Sequence, residues 1–122
     1  MITLILILIA AICMAVQDKI AHHFEKSVFS KLNPLFWNPN ESWRNKYKNG
    51  DPSQGPKFLG STSIFAWTTD AWHLFKTLSW TAIEAAVALN TGYNFWISLI
   101  VIKAIVGLVF SLFYHCILEK ED

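Results

Sequence analysis

Charge is the scarcest property of this sequence. Aspartate, glutamate, lysine and arginine make up 16% of it, where a soluble domain carries about 25%. The net charge is +1, and the basic residues are interleaved with apolar segments. They form no stripe of the kind that tracks a phosphate backbone, which argues against a nucleic-acid partner. No internal repeat and no Gly-rich phosphate loop is visible. No serine or cysteine is placed by spacing as a nucleophile. At 122 residues the chain has room for one domain and none for a separate soluble catalytic unit.

What the chain does have is apolar length. Hydrophobic residues make up 53% of it, and they gather in three stretches. Met1–Val16 is apolar apart from Thr3. The run lacks a basic leader, so an uncleaved first helix is expected rather than a removed signal peptide. Ile20, Ala21, Phe24, Val28 and Leu32 recur at helical spacing, which predicts an amphipathic continuation at the membrane interface. Ser61–Ser63 after Gly60 offer hydroxyls as helix N-caps for the second stretch, densest from Ala71 to Leu89. The third runs from Phe95 to Leu118, and Asn90-Thr91-Gly92-Tyr93 suits a tight antiparallel connection before it. The expected fold class is all-α. It is a polytopic membrane protein, residues 1–122 forming a single membrane domain with three transmembrane helices and one ordered interfacial loop. The helices are expected at about 1–31, 63–89 and 94–118, with the loop at about 32–62.

Basic residues set the expected orientation. Lys26, Lys31, Arg44, Lys46, Lys48 and Lys57 lie in or beside the large loop, and the turn around Gly92 has none. Basic loops stay on the cytoplasmic side. The loop and C-terminus are therefore expected in the cytoplasm and the N-terminus outside, in a bacterial inner membrane. Cys13 and Cys116 then face the reducing side or the bilayer, where a disulfide is not expected. Trp37, Trp43, Trp67, Trp72 and Trp96 fall near helix ends, as an aromatic belt requires, while Trp80 falls mid-helix. The loop mixes aromatics, amides and an arginine between Leu35 and Arg44, which suits a lid on the membrane surface. Arg44, Lys46 and Lys48 are candidate substrate-binding residues for phospholipid headgroups or another anionic substrate. Ordinary positive-inside charge accounts for them equally.

Most acids and histidines gather where two apolar stretches meet that loop. Asp18, His22 and Glu25 share one helical face, and Asp70 and His73 share another. Both pairs adjoin the same loop, so both lie at one side of the membrane. Ionisable groups near hydrocarbon raise a functional hypothesis. Asp18, His22, Asp70 and His73 form a candidate metal set, to which His115 adds a possible nitrogen. Zinc takes four N, O or S ligands, and two histidines with a carboxylate also suit iron or manganese. Without a metal, an aspartate on one imidazole nitrogen fixes the tautomer and leaves the other nitrogen as a general base. His22 and His73 are the catalytic candidates. The structural alternative is a network in which Asp18 satisfies His73 and Asp70 satisfies His22. His23, off that face, reads as an interface histidine.

Deeper in the bilayer, Glu84 and Lys103 flank the turn at Gly92 and reach similar depth in an antiparallel hairpin. They read as a structural ion pair, with a relay or pore lining as the functional alternative. Ala82, Ala85 and Ala86 offer one small face, and Gly107 with Ser111 another. Lys76 is close enough to the headgroups to snorkel. Asp18-Lys19-Ile20-Ala21-His22, with Phe24, resembles the Asp-Lys-x-x-His segment of VanZ-like membrane proteins. The resemblance is confined to that segment, and no site residue is carried over from it.

Two function classes follow. One is a membrane-embedded enzyme, with a divalent metal, acting on a lipid or amphipathic substrate. The other is a non-enzymatic channel, effector or accessory subunit in which the cluster is structural. Membrane lipids are the expected partners, together with further copies of the chain or another membrane subunit, because three helices cannot shield this many polar groups.

Overall fold

The computed structural model describes residues 1–119 of the chain. They form helices joined by turns and bends, and contain no strand beyond one isolated bridge between Tyr47 and Pro56. The principal helices are α1 (Ile2–His23), the one-turn α2 (Pro34–Trp37), α3 (Ala71–Leu89) and α4 (Phe95–Leu112), which ends in a π-turn over Phe113–Ile117. Two of them are long and apolar enough to cross a membrane, Ile2–Lys26 and Phe95–Ile117. Only 17% and 6% of their most apolar windows are buried within the protein. The core helix of a soluble protein would be mostly covered. Apolar surface left bare in water costs about 25 cal/mol per Å2, so these faces need a non-aqueous neighbour.

The first helix is shorter than the apolar spacing predicts. It ends at His23, and two 3-10 turns follow, Phe24–Lys26 and Val28–Lys31. Ser27 separates them with extended backbone. Its hydroxyl donates to the Phe24 carbonyl at 2.6 Å and accepts from the Phe29 amide. A serine that bonds its own neighbours in this way competes with helix propagation. Val28, expected on an apolar helical face, is 83% exposed instead.

The start of the second long helix also differs from expectation. Residues 63–70 are turns and bends around a 3-10 turn at Ala66–Thr68, and α3 begins at Ala71. Asp70 is the cap: its carbonyl accepts from Leu74 N and its carboxylate from His73 N, at 3.0 and 3.1 Å. An ionised carboxylate at this position also meets the positive end of the helix dipole, an advantage the expected hydroxyls at Ser61–Ser63 lack. Ser61 is wholly buried and donates to the Lys46 carbonyl. By contrast α4 starts where the sequence implies, with the Asn94 side chain accepting from Ile97 N.

By contacts the described chain forms two compact units, Leu8–Trp80 and Met1–Ile7 with the chain from Thr81 onward. In the Leu8–Trp80 unit Phe29 stacks on Trp37 at 4.7 Å and Trp37 reaches Phe75 of α3 at 6.0 Å. Asn45 Nδ2 donates to the Thr69 carbonyl and Lys57 Nζ to Asn45 Oδ1. The long connection is thereby tied to the start of α3. In the other unit Lys103 Nζ donates to Glu84 Oε1 and Thr81 Oγ1, both at 2.8 Å. Asn90 Nδ2 reaches Thr3 Oγ1 at 3.2 Å. Ala82, Ala85 and Ala86 are buried, but Gly107 and Ser111 are not. A Cβ at Gly107 would touch nothing within 4 Å, so the second small face packs against no described residue.

Candidate functional site

The site grows from the cap of α3. With Asp70 at the N-cap, His73 falls on the third helical position, where its amide and its ring both point back to the same carboxylate. His73 Nδ1 lies 2.9 and 3.0 Å from the two Asp70 oxygens. Asp70 is nearly buried, whereas the His73 side chain is 56% exposed. A proton on Nδ1 is the one this carboxylate can accept, and Nε2 has no partner among the described residues. The Trp72 ring meets the imidazole edge-on at 4.8 Å.

Asp70 and His73 open into a cavity of about 490 Å3. Trp43, Trp67 and Trp72 form its walls. Among the described residues Lys46 is the one lysine or arginine on the lining, and Ser42 and Thr69 contribute hydroxyls. The Lys46 ammonium lies 5.6 Å from the Tyr47 ring and pairs with no carboxylate among the described residues. Ala21, in the last turn of α1, also lines the cavity. The site therefore joins the end of α1, the connection and the start of α3 within one unit.

The other sequence-predicted residues lie elsewhere. Asp18, His22 and Glu25 are exposed, and their side chains make no hydrogen bond with another described residue. The helix turns 100° per residue, and it is Ala21, not His22, that lines the cavity. No three His, Cys, Asp or Glu side chains among the described residues are placed to share a metal ion. The four-residue set Asp18, His22, Asp70 and His73 thus reduces to one pair already engaged in capping. Among the described residues no third His, Cys, Asp or Glu side chain joins that pair. The expected cross-helix network of Asp18 with His73 and Asp70 with His22 is replaced by the local Asp70–His73 bond. His115 lies on the π-turn after α4, its ring beside Tyr114 at 4.9 Å. Arg44 pairs with Glu41 at 3.4 Å, and Lys48 is exposed on a 3-10 turn, so Lys46 alone of the three basic candidates lines the cavity. Lys76 Nζ sits 5.2 Å from the Trp72 ring.

One acid outside the cavity is held by its own turn. Asp51 accepts from the Ser53 hydroxyl at 2.7 Å, the Ser53 amide at 3.0 Å and Gln54 Nε2 at 3.2 Å. The Ser53 hydroxyl, then these amides, hold its carboxyl below the usual carboxylate range. A depressed value means the folded turn favours the charged form. Its contribution is complete at neutral pH and is lost as pH falls through the depressed value. The Ser53 amide shift, followed by NMR, should report that low midpoint. Ser53→Ala should raise it toward the ordinary range, and an unmoved midpoint would show that the hydroxyl is not the cause.

Sequence reasoning missed the tryptophan walls as parts of a cavity. The signal was present in the clustering of Trp43, Trp67 and Trp72 near Asp70, but an aromatic belt explained it equally. No protein-family model, curated protein or solved structure matches this chain, so its chemistry is read from these residues alone.

Proposed function

We propose that this chain is a small integral membrane protein that binds an anionic, amphipathic ligand, a phospholipid or a lipid-like molecule, at one membrane face. The observation that carries the reading is the cavity lined together by Lys46, the His73–Asp70 pair and three tryptophans. Lys46 supplies the charge for an anionic headgroup, and Nε2 of His73 supplies a directional polar partner. Indole rings sit well at the boundary where headgroup meets acyl chain. Ala21 lies near the end of the Ile2–Lys26 apolar span, at the depth such a headgroup would occupy.

In this reading α3 is a third span. Its start shares the cavity with Ala21 at the end of α1, and Asn90 after its last turn bonds Thr3 at the start of α1. Nineteen residues of helix reach about 28 Å, close to the hydrocarbon thickness. The basic connection and the C-terminus then face the cytoplasm, and Met1 and Gly92 face away. Asn49→Cys should react with a membrane-impermeant thiol reagent only from the cytoplasmic side. Reaction only from outside would invert the topology.

Binding is tested with the purified protein and vesicles of phosphatidylglycerol or phosphatidylcholine. Lys46→Gln should weaken binding of the anionic lipid by roughly tenfold, the equivalent of about 1.4 kcal/mol, and leave the zwitterionic lipid unaffected. Equal binding of both lipids by parent and variant would remove the headgroup reading. A second reading keeps the pocket and adds a reaction, because the Asp70-anchored ring leaves Nε2 of His73 free to act as a general base on water or a ligand hydroxyl. His73→Gln would then abolish release of the cleaved product even at lipid concentrations that saturate its weakened binding. A third, non-enzymatic assembly of several copies draws on α4, where Lys103 is half-exposed in an otherwise apolar span.

A further inference from the structure

The turn from Pro56 to Phe65 is firmly held, yet it presents apolar side chains outward. Lys57 N and the Ser61 hydroxyl both donate to the Lys46 carbonyl, at 2.9 and 2.7 Å. Within the turn, Ser61 N donates to the Phe58 carbonyl and Phe65 N to that of Gly60. Gly60 has φ +86°, and a Cβ there would lie 2.7 Å from Cδ2 of Phe65, so this close approach requires glycine. On this frame Leu59 is 95% exposed and Ile64 72%, with Phe58 and Phe65 nearly half exposed. Several exposed apolar side chains on one ordered turn mark a candidate interaction surface.

We propose that this turn is a membrane wedge: Leu59 and Ile64 insert among the lipid acyl chains just below the headgroups. Depth is what selects the bilayer as the occupant. Ala66 and Trp67, which follow the turn directly, line the same cavity as Ala21. Ala21 lies in the last turn of α1, and the apolar span there ends at Lys26. The turn is thus tied, within one compact unit, to the level where α1 leaves the hydrocarbon. Lys57 beside the apolar tip is exposed and cationic, which suits the phosphate layer above the inserted side chains. The wedge would hold the mouth of the tryptophan-walled cavity against the membrane, so that a lipid could enter without crossing water. This inference rests on the membrane reading above and deepens it.

The test uses the full chain carrying Cys13→Ala and Cys116→Ser, reconstituted in phosphatidylcholine–phosphatidylglycerol vesicles. Leu59→Cys, Ile64→Cys, Asn49→Cys and Ile105→Cys each carry an NBD fluorophore. Labels at Leu59 and Ile64 should emit to the blue of the Asn49 label. They should lose most of their intensity to nitroxide-bearing acyl chains and little to aqueous iodide. Gly60→Ala should reverse that pattern at Ile64 and leave Ile105 unchanged. If Ile105 is quenched by lipid while Leu59 and Ile64 are quenched by iodide, the wedge is overturned and the membrane reading stands. If Ile105 is also quenched by iodide, the membrane reading itself falls. Labels shielded from both quenchers, and exposed on dilution of protein in lipid, would assign the patch to a second copy and overturn the wedge.

Discussion

Asp70→Ala should both lower the melting temperature of the detergent-solubilised protein and weaken its binding of an anionic lipid. The carboxylate does two jobs. It caps α3 through the His73 amide, and it fixes the His73 ring through Nδ1. Loss of an N-cap costs about 1 kcal/mol and up to about 2. The ring contact adds less than a buried pair would, because His73 is more than half exposed and water competes for it. With the ring free to rotate, Nε2 no longer holds one direction. Asp70→Asn separates the two roles, since asparagine caps a helix as well as aspartate but lacks the charge that holds the ring. It should keep the parent melting temperature and lose part of the binding. Circular dichroism melts beside lipid titrations check both. An Asp70→Ala protein that melts and binds like the parent would show that neither role matters.

Lys103→Ala should destabilise the α3–α4 hairpin more than Glu84→Ala. The asymmetry comes from burial: the Glu84 side chain is 3% exposed and that of Lys103 47%. Removing the lysine leaves a buried carboxylate without its cation, a loss smaller than the about 3–5 kcal/mol of a fully buried pair because Lys103 is nearly half exposed. Removing the glutamate leaves an ammonium still bonded to Thr81 Oγ1 and long enough to shift toward a wetter layer. That loss should be about 1 kcal/mol, the usual scale of polar contacts between membrane helices. The double variant should fall between the singles, because the carboxylate is then gone as well. Thermal melts of the three variants in one detergent form the cycle. Losses that simply add would show no coupling between the two side chains.

Local and short-range features were legible in the chain itself. The apolar runs of α1 and α4 declare themselves by length alone, since any sequence of that hydropathy requires a non-aqueous face. The third apolar run opens at Phe95, and α4 begins at that residue. Glu84 and Lys103 could be paired on paper because a turn at Gly92 folds two helices back at a constant rise per residue, and they meet at 2.8 Å. Asp70 and His73 are close for the same reason, three positions apart at a helix start.

The tertiary structure decided what regular spacing does not encode. Helical periodicity offered His22 and Asp18 as partners for Asp70, but the end of α1 turns Ala21 to the cavity and leaves both residues exposed. Three basic residues in the connection looked equivalent. Only Lys46 lines the site, because the irregular backbone around it is fixed by bonds to Lys57 and Ser61, which lie far along the chain. The hydroxyls at Ser61–Ser63 and the carboxylate of Asp70 competed to start α3, and the charged cap prevailed. Such outcomes depend on contacts across an aperiodic segment, where no repeat of 3.6 residues says which side chain faces inward.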